Sequence, residues 1–234
     1  MLKIVPPPYL CLLAACALAV AGCGKSTDEH EAKSPLTDTG GLLRYVPSDS
    51  PYVFGILAPP PDDFMDRIEP KTDRLLAAYS EMLGAAMAAA EAESDDADEM
   101  EKMDALAEEF RSILSLDGLK RAGFTRESTG LLYGNGLLPV LRITLSDATL
   151  FDDFITRIEA RAGEQFPVAE VEGMPYRFIE GDGVRAIIAT ASDQLVLSIA
   201  PEGLDDDGLA RLLGLELPTT NIAQTGKLLD IAKE

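Results

Sequence analysis

The last cysteine of the chain is Cys23, and this limits how everything after it can fold. The three cysteines of the 234 residues are Cys11, Cys16 and Cys23. From residue 24 onward there is therefore neither a disulfide framework nor a thiolate metal site to staple the fold. Such a body must stand on its apolar core alone. It has the material, since 47% of the residues are hydrophobic, which argues against wholesale disorder. The roughly 190 residues beyond position 41 suffice for one medium domain, or one and a half.

Before the body stands a segment of different character. Lys3 is followed by an apolar stretch from Tyr9 to Ala19, by Val20-Ala21-Gly22-Cys23, and by a polar run from Gly24 to Glu29. A cation, a short apolar core and small residues at a cut site form the order of a secretory signal. The core is about a dozen residues, short of the roughly 20 that a membrane-spanning helix needs. Ala19-Val20-Ala21 offers an ordinary cleavage pattern, but that cut leaves Cys23 as a free thiol near the new N-terminus.

The run from Val20 to Cys23 resembles the lipobox of a bacterial lipoprotein precursor: an apolar residue, two small residues and the cysteine to be lipidated. The resemblance covers residues 1–23. It implies cleavage between Gly22 and Cys23, a diacylglyceryl thioether on Cys23, and usually a fatty acyl group such as palmitate on the new amine. One chain anchors only marginally, whereas two or more make anchoring stable. Gly24 is not the Asp that retains lipoproteins in the inner membrane of enteric bacteria, so the same rule implies the outer membrane, facing the periplasm. The reading divides the chain into a signal peptide at 1–22, a lipidated cysteine and flexible tether at 23–41, and a domain at 42–234.

Charge narrows the partners. The chain carries 40 Asp+Glu against 20 Lys+Arg, a formal net charge of −20. Such a body is repelled by nucleic acid and by anionic head groups. The membrane is then met through lipid on Cys23 while the charge holds the domain off its surface. The tether is polar, with Gly, Ser, Thr and Pro and no apolar periodicity, and its root-mean-square reach is roughly 20–25 Å. His30, the single histidine, lies in it. Gly24-Lys25-Ser26 matches the end of a phosphate loop by chance, because Ala19 stands where the first glycine is required.

The body reads as alternating strands and helices. Tyr52 to Leu57 is an aromatic and β-branched run expected as a first, buried strand. Pro59-Pro60-Pro61-Asp62-Asp63 ends it and opens a helix with Phe64, Ile68, Leu75, Leu76, Tyr79, Leu83 and Met87 at helical spacing and a kink expected at Pro70. A second helix, from Met100 to Leu114, completes a hairpin. Strands at Gly130 to Tyr133 and Val140 to Leu145 flank Gly134-Asn135-Gly136. Ser146 or Asp147 can cap a helix with Leu150, Phe151, Phe154, Ile155 and Ile158 on its buried stripe. Met174 to Ile179, Val184 to Thr190 and Gln194 to Ile199 read as a meander, and Leu204 to Leu213 as a closing helix. Asn221 to Glu234 looks like the start of another helix in need of a partner, as though the domain were incomplete at its C-terminal end.

The expected class is α+β: an antiparallel sheet with helices on one face, built on a ferredoxin-like β-α-β-β-α-β frame with an inserted helical hairpin and a C-terminal meander. The body is also similar, more loosely, to an uncharacterised group of bacterial envelope proteins. These carry a Tyr-Val-Pro-x-Asp phrase before the first strand, here Tyr45 to Asp49, and a Gly-Leu-Leu-Pro-Val strand, here Gly136 to Val140. That group implies no activity.

Chemistry-bearing motifs are few. Ten carboxylates lie between Glu91 and Glu109 with only Lys102 opposing them. Asp95, Asp96, Asp98 and Glu99 are the candidates for a hard cation there. The alternating acids and turn glycine of an EF-hand loop are missing, so we read the run as a solvated loop between helices. Asp205-Asp206-Asp207-Gly208 reads as a helix cap. No serine sits in a G-x-S-x-G setting, and the lone histidine is in the tether, which removes Ser-His and Cys-His relays. An arginine–carboxylate pair is expected at a sheet edge, with Arg142 and Asp147 as partners. No cofactor motif is present. These features point to a lipid-anchored, non-catalytic binding or assembly module of the envelope with a protein partner. The alternatives are a periplasmic carrier of a small apolar ligand between sheet and helices and a carboxylate-based envelope hydrolase.

Overall fold

The computed structural model describes residues 41–93 and 97–228, and side chains outside 90–103. The signal segment, Cys23, the tether with His30, Asp95 and Asp96 fall outside the described residues, as do the side chains of Asp98 and Glu99. The α+β class holds. Strands β1 (Val53–Ile56), β2 (Gly130–Asn135), β3 (Leu138–Thr144), β4 (Val168–Val171), β5 (Met174–Gly181), β6 (Val184–Ala191) and β7 (Gln194–Pro201) form one sheet. Its helices are α1 (Asp62–Glu93), α2 (Ala97–Ile113), α3 (Leu116–Arg121), α4 (Ala148–Ala162) and α5 (Asp206–Leu213). Leu42–Tyr45 and Ile222–Thr225 are 3-10 turns. Among the described residues no helix is long and apolar enough to cross a membrane.

The strand order is β1-β2-β3-β7-β6-β5-β4, antiparallel at every pairing. This departs from the ferredoxin-like frame. That frame puts the strand following its second helix beside the first strand, whereas β1 and β4 lie at opposite edges here. The sheet consists of β1 added to the β2-β3 hairpin, with α1, α2 and α3 intervening between β1 and β2, and a meander β4-β5-β6-β7, the two sets joined along β3 and β7. Short turns explain the meander: Asp182 and Gly183 both have positive φ, the pattern of a two-residue hairpin.

The helices also do not share one face. Strand side chains alternate between faces, so each strand contributes to two cores. On one face Ile188, Leu195 and Leu197 meet Phe151, Phe154, Ile155 and Ile158 of α4 and Phe110 of α2. On the other, Leu131, Tyr133, Val140, Ile187 and Val196 meet Leu209, Leu212 and Leu213 of α5 and both 3-10 turns. The expected layer of helices on one face is therefore corrected to helical cover on both faces. The short closing helix has an apolar face of its own and needs a sheet face to bury it on.

The caps follow the sequence closely. Asp147 accepts from the Thr149 amide at the start of α4, and Asp205 accepts from the Gly208 amide at the start of α5. The Thr149 contacts hold the Asp147 carboxyl below its ordinary range. The expected Arg142–Asp147 pair does not form. Arg142 is fully buried on the α5 face, and Asp147 is engaged as a cap. The reason is local: Arg142 alternates with Leu141 and Ile143, so its side chain must enter the opposite core. There Nε donates to the Tyr133 hydroxyl at 3.1 Å, Nη2 to the Leu212 carbonyl at 3.0 Å, and Nη1 to Gln194 Oε1 at 3.4 Å. The guanidinium lies 3.9 Å from the centre of the Tyr45 ring. No carboxylate pairs with it among the described residues. The C-terminal carbonyl end of α5 and the π face of Tyr45 supply the negative potential instead.

Candidate functional site

The register exposes a surface that sequence reasoning did not single out. Phe54, Leu132, Leu141, Leu197 and Ile188 form one row across β1, β2, β3, β7 and β6. Ile188, at the α4 end of the row, is 4% exposed, whereas Phe54, at the β1 end, is 62% exposed. The next row on the same face begins with Tyr52, whose carbonyl accepts from the Gly134 amide. It passes through Gly134 and Pro139, and then Ile199 and Ala186. Ile199 is 49% exposed. Tyr52 and Phe54 stack with ring centres 6.3 Å apart.

The opposite face of the same strands is closed. Tyr133, Val140 and Val196 are fully buried, with Ile187 and Ser198 nearly so. The contrast lies within single strands, so it reflects what covers each face and not the strands themselves. Among the described residues, α4 covers one half of its face and leaves the β1-β2-β3 half partly open: Phe54 is exposed, Leu132, Pro139 and Leu141 are half-buried, and Gly134 is buried. A second apolar stripe is exposed on α1, at Leu75, Tyr79 and Met82, three positions with helical spacing.

The covered half is polar at its margin. Arg177 of β5 bonds Asp152 and Glu159 of α4, each at 3.1 Å, and the Thr190 hydroxyl bonds Asp152. Glu159 also accepts from the Phe166 amide. Arg157 bonds Glu109 of α2 at 2.7 Å. These pairs fasten α4 to the sheet and α2 to α4. A groove of about 460 Å³ lies beside the second pair, lined by Glu109, Ser112, Arg121, Leu150 and Arg157. It is open to solvent, and its carboxylate already faces an arginine. Arg126 bonds both Glu69 and Asp66 of α1. The Arg126 hydrogen bond holds the Glu69 carboxyl below its ordinary range, and contacts with Thr125 do the same for Glu127. Every described carboxyl group displaced from its ordinary range, Asp147 included, is displaced downward.

Of the candidate site residues, the lipidation pair Gly22 and Cys23 and the acids Asp95 and Asp96 lie outside the described residues. So do the side chains of Asp98 and Glu99. Among the described residues no group of three His, Cys, Asp or Glu side chains is placed to hold a metal. The missed surface left a faint signal in the sequence: Leu132, Pro139, Leu141, Ile199 and Ala186 are apolar on the face of each strand opposite the α5 core. Comparison with protein-family models, with curated proteins and with solved structures gives no match to the chain.

Proposed function

We propose that the protein is a lipid-anchored cell-envelope protein that acts as a non-catalytic binding or assembly module. The observation that carries the binding role is the half-open apolar face running from Tyr52 and Phe54 to Ile199. Phe54 and Ile199 stand exposed on it beside the half-buried Leu132 and Leu141, an apolar surface that a partner can cover. An open strip suits a macromolecular partner, whereas a carrier of a small apolar ligand needs an enclosed cavity.

The anchor rests on the lipobox-like run ending at Cys23, with the tether giving the domain reach from an outer membrane. The domain, the bulk of a chain whose formal net charge is −20, stays clear of anionic head groups and meets its partner in the periplasm. Intact mass spectrometry of the membrane-bound protein from its native host, comparing wild type with Cys23→Ser, tests the anchor. The expected mass is that of residues 23–234 plus two or three acyl chains, lost in the variant. An unlipidated product cut elsewhere contradicts the reading.

A further inference from the structure

The occupant of the open strip can be argued from its size, its surroundings and its rim. Its uncovered part, from β1 to Ile199 on β7, crosses four strands and spans about 14 Å at the usual strand spacing, and its two rows give a depth of roughly 10 Å. A helix with its side chains is about 10–12 Å across. The strip therefore has room for one short helix of about nine residues at 1.5 Å per residue. It is too small for a two-fold interface of standard size, which buries about 800 Å² per partner. It also adjoins α4, whose Phe151, Phe154 and Ile158 already cover the neighbouring half of the face. An added helix would complete that layer.

The rim sets the charge of the occupant. Asp49, Asp182 and Glu202 lie on the turns at the open end of the strip, all exposed. None of them forms an ion pair among the described residues. Of the nearby cations, Arg185 pairs with Glu180, and the exposed Lys227, which donates to the Ser48 carbonyl, offsets one of the three acids. The hairpin turn between β2 and β3 contributes Gly136 and Leu137, the latter 88% exposed, and no charge. An apolar floor with an acidic rim matches an amphipathic helix with cationic flanks. The same rim, and the net charge of −20, repel a second copy of this chain and an anionic lipid surface.

We infer that the open half of the sheet, floored by Phe54, Leu132, Leu141 and Ile199 and rimmed by Asp49, Asp182 and Glu202, receives a cationic amphipathic helix of a different protein. The inference rests on the binding role proposed above and names the class of partner. Photocrosslinking of the full chain in its native host tests it, with p-benzoyl-phenylalanine placed at position 54 or 199 and the crosslinked peptide mapped by mass spectrometry. The same reagent at position 168, on the far edge of the same face, is the control. The expected product joins positions 54 and 199, and not 168, to an amphipathic segment bearing Lys or Arg. It is lost when Asp182→Lys and Glu202→Lys reverse the rim. The inference is overturned by a crosslink to this chain itself, to lipid, or to an extended or acidic segment. It is equally overturned by no product at 54 and 199, or by a product that survives rim reversal. The anchor fails separately, on the mass at Cys23, so the two results are distinguishable.

Discussion

Arg142 is the buried group whose removal the structure makes most informative. Its guanidinium is fully buried and holds together β2, β3, β7, the end of α5 and the 3-10 turn at Leu42–Tyr45, through Tyr133, Gln194, Leu212 and Tyr45. Arg142→Ala leaves a cavity and orphans two buried polar atoms, the Tyr133 hydroxyl and the Leu212 carbonyl. Each orphan costs about 1–3 kcal/mol, partly offset because the buried charge itself disappears. With the cavity included, the expected loss is about 3–5 kcal/mol. Arg142→Met keeps most of the apolar stem and is expected to lose about 2–3 kcal/mol. Tyr133→Phe separates the polar contribution. Burial pushes the Tyr133 hydroxyl above its ordinary value, against the pull of the guanidinium, so it remains a neutral partner that needs Arg142. In the Arg142→Met background Tyr133→Phe removes an orphan, and its effect is expected to shrink by at least about 1 kcal/mol relative to wild type. Urea denaturation followed by circular dichroism gives these values from midpoints at constant slope. A loss under about 1 kcal/mol for Arg142→Ala, or additivity of the Met and Phe changes, would refute the reasoning.

Other changes probe neighbouring features. Gly214 has φ +79°, and a Cβ there would sit 2.4 Å from Arg142 Nη2 and 2.7 Å from the Tyr45 ring. Gly214→Ala is therefore expected to cost about 2–4 kcal/mol, read from the urea midpoint, and an unchanged midpoint would count against the packing described. Asn221 and Gln224 form a reciprocal cap on the last 3-10 turn. Asn221→Ala should lose about 1–2 kcal/mol in the same assay, and a change within error would show that the turn does not depend on its cap. Glu69 has its folded pKa depressed below 4.5 by Arg126. Its contribution is present above that value and lost as pH falls through the folded pKa, because the unfolded chain binds the proton first. Wild type should exceed Glu69→Gln in stability at pH 7, and the gap should close in acid. A gap that widens on acidification contradicts the assigned sign.

Much of the fold was legible because it rests on local signals. The alternation of Leu141, Ile143 and Leu145, the stripe from Phe151 to Ile158, and the Asp147 and Asp205 caps each encode an element within a few residues. Pairing does not work locally. That β3 pairs with β7 follows from which faces meet across some fifty intervening residues, and no turn motif encodes it. Strand β4 was missed because Val168–Val171 is short, lies on an edge and carries Glu170. Helix α3 was missed because Leu116–Arg121 is six residues long with Gly118 inside. Tyr52 to Leu57 reads as a buried strand from its apolar content, yet β1 is an edge strand and Phe54 stands in solvent. Helix α1 runs through Pro70, and its apolar positions divide between a buried Leu76 and the exposed Leu75 and Tyr79. Composition at helical spacing marks an apolar face without saying whether anything covers it. The open strip escaped notice for the same reason: exposure belongs to the whole sheet and not to any one strand.

The most direct test of a working surface on this sheet is the size of the protein's complex in membranes of its native host. Wild type would be compared with the Phe54→Lys and Ile199→Lys double variant after mild detergent extraction and native electrophoresis. Circular dichroism would confirm that both remain folded. Both positions are exposed, so the substitutions should leave the fold intact while placing two cations on the floor of the strip. Wild type is expected to migrate as an assembly larger than a single chain, and the variant as a single chain. Equal migration of the two folded proteins would contradict the assignment of this face as the docking surface.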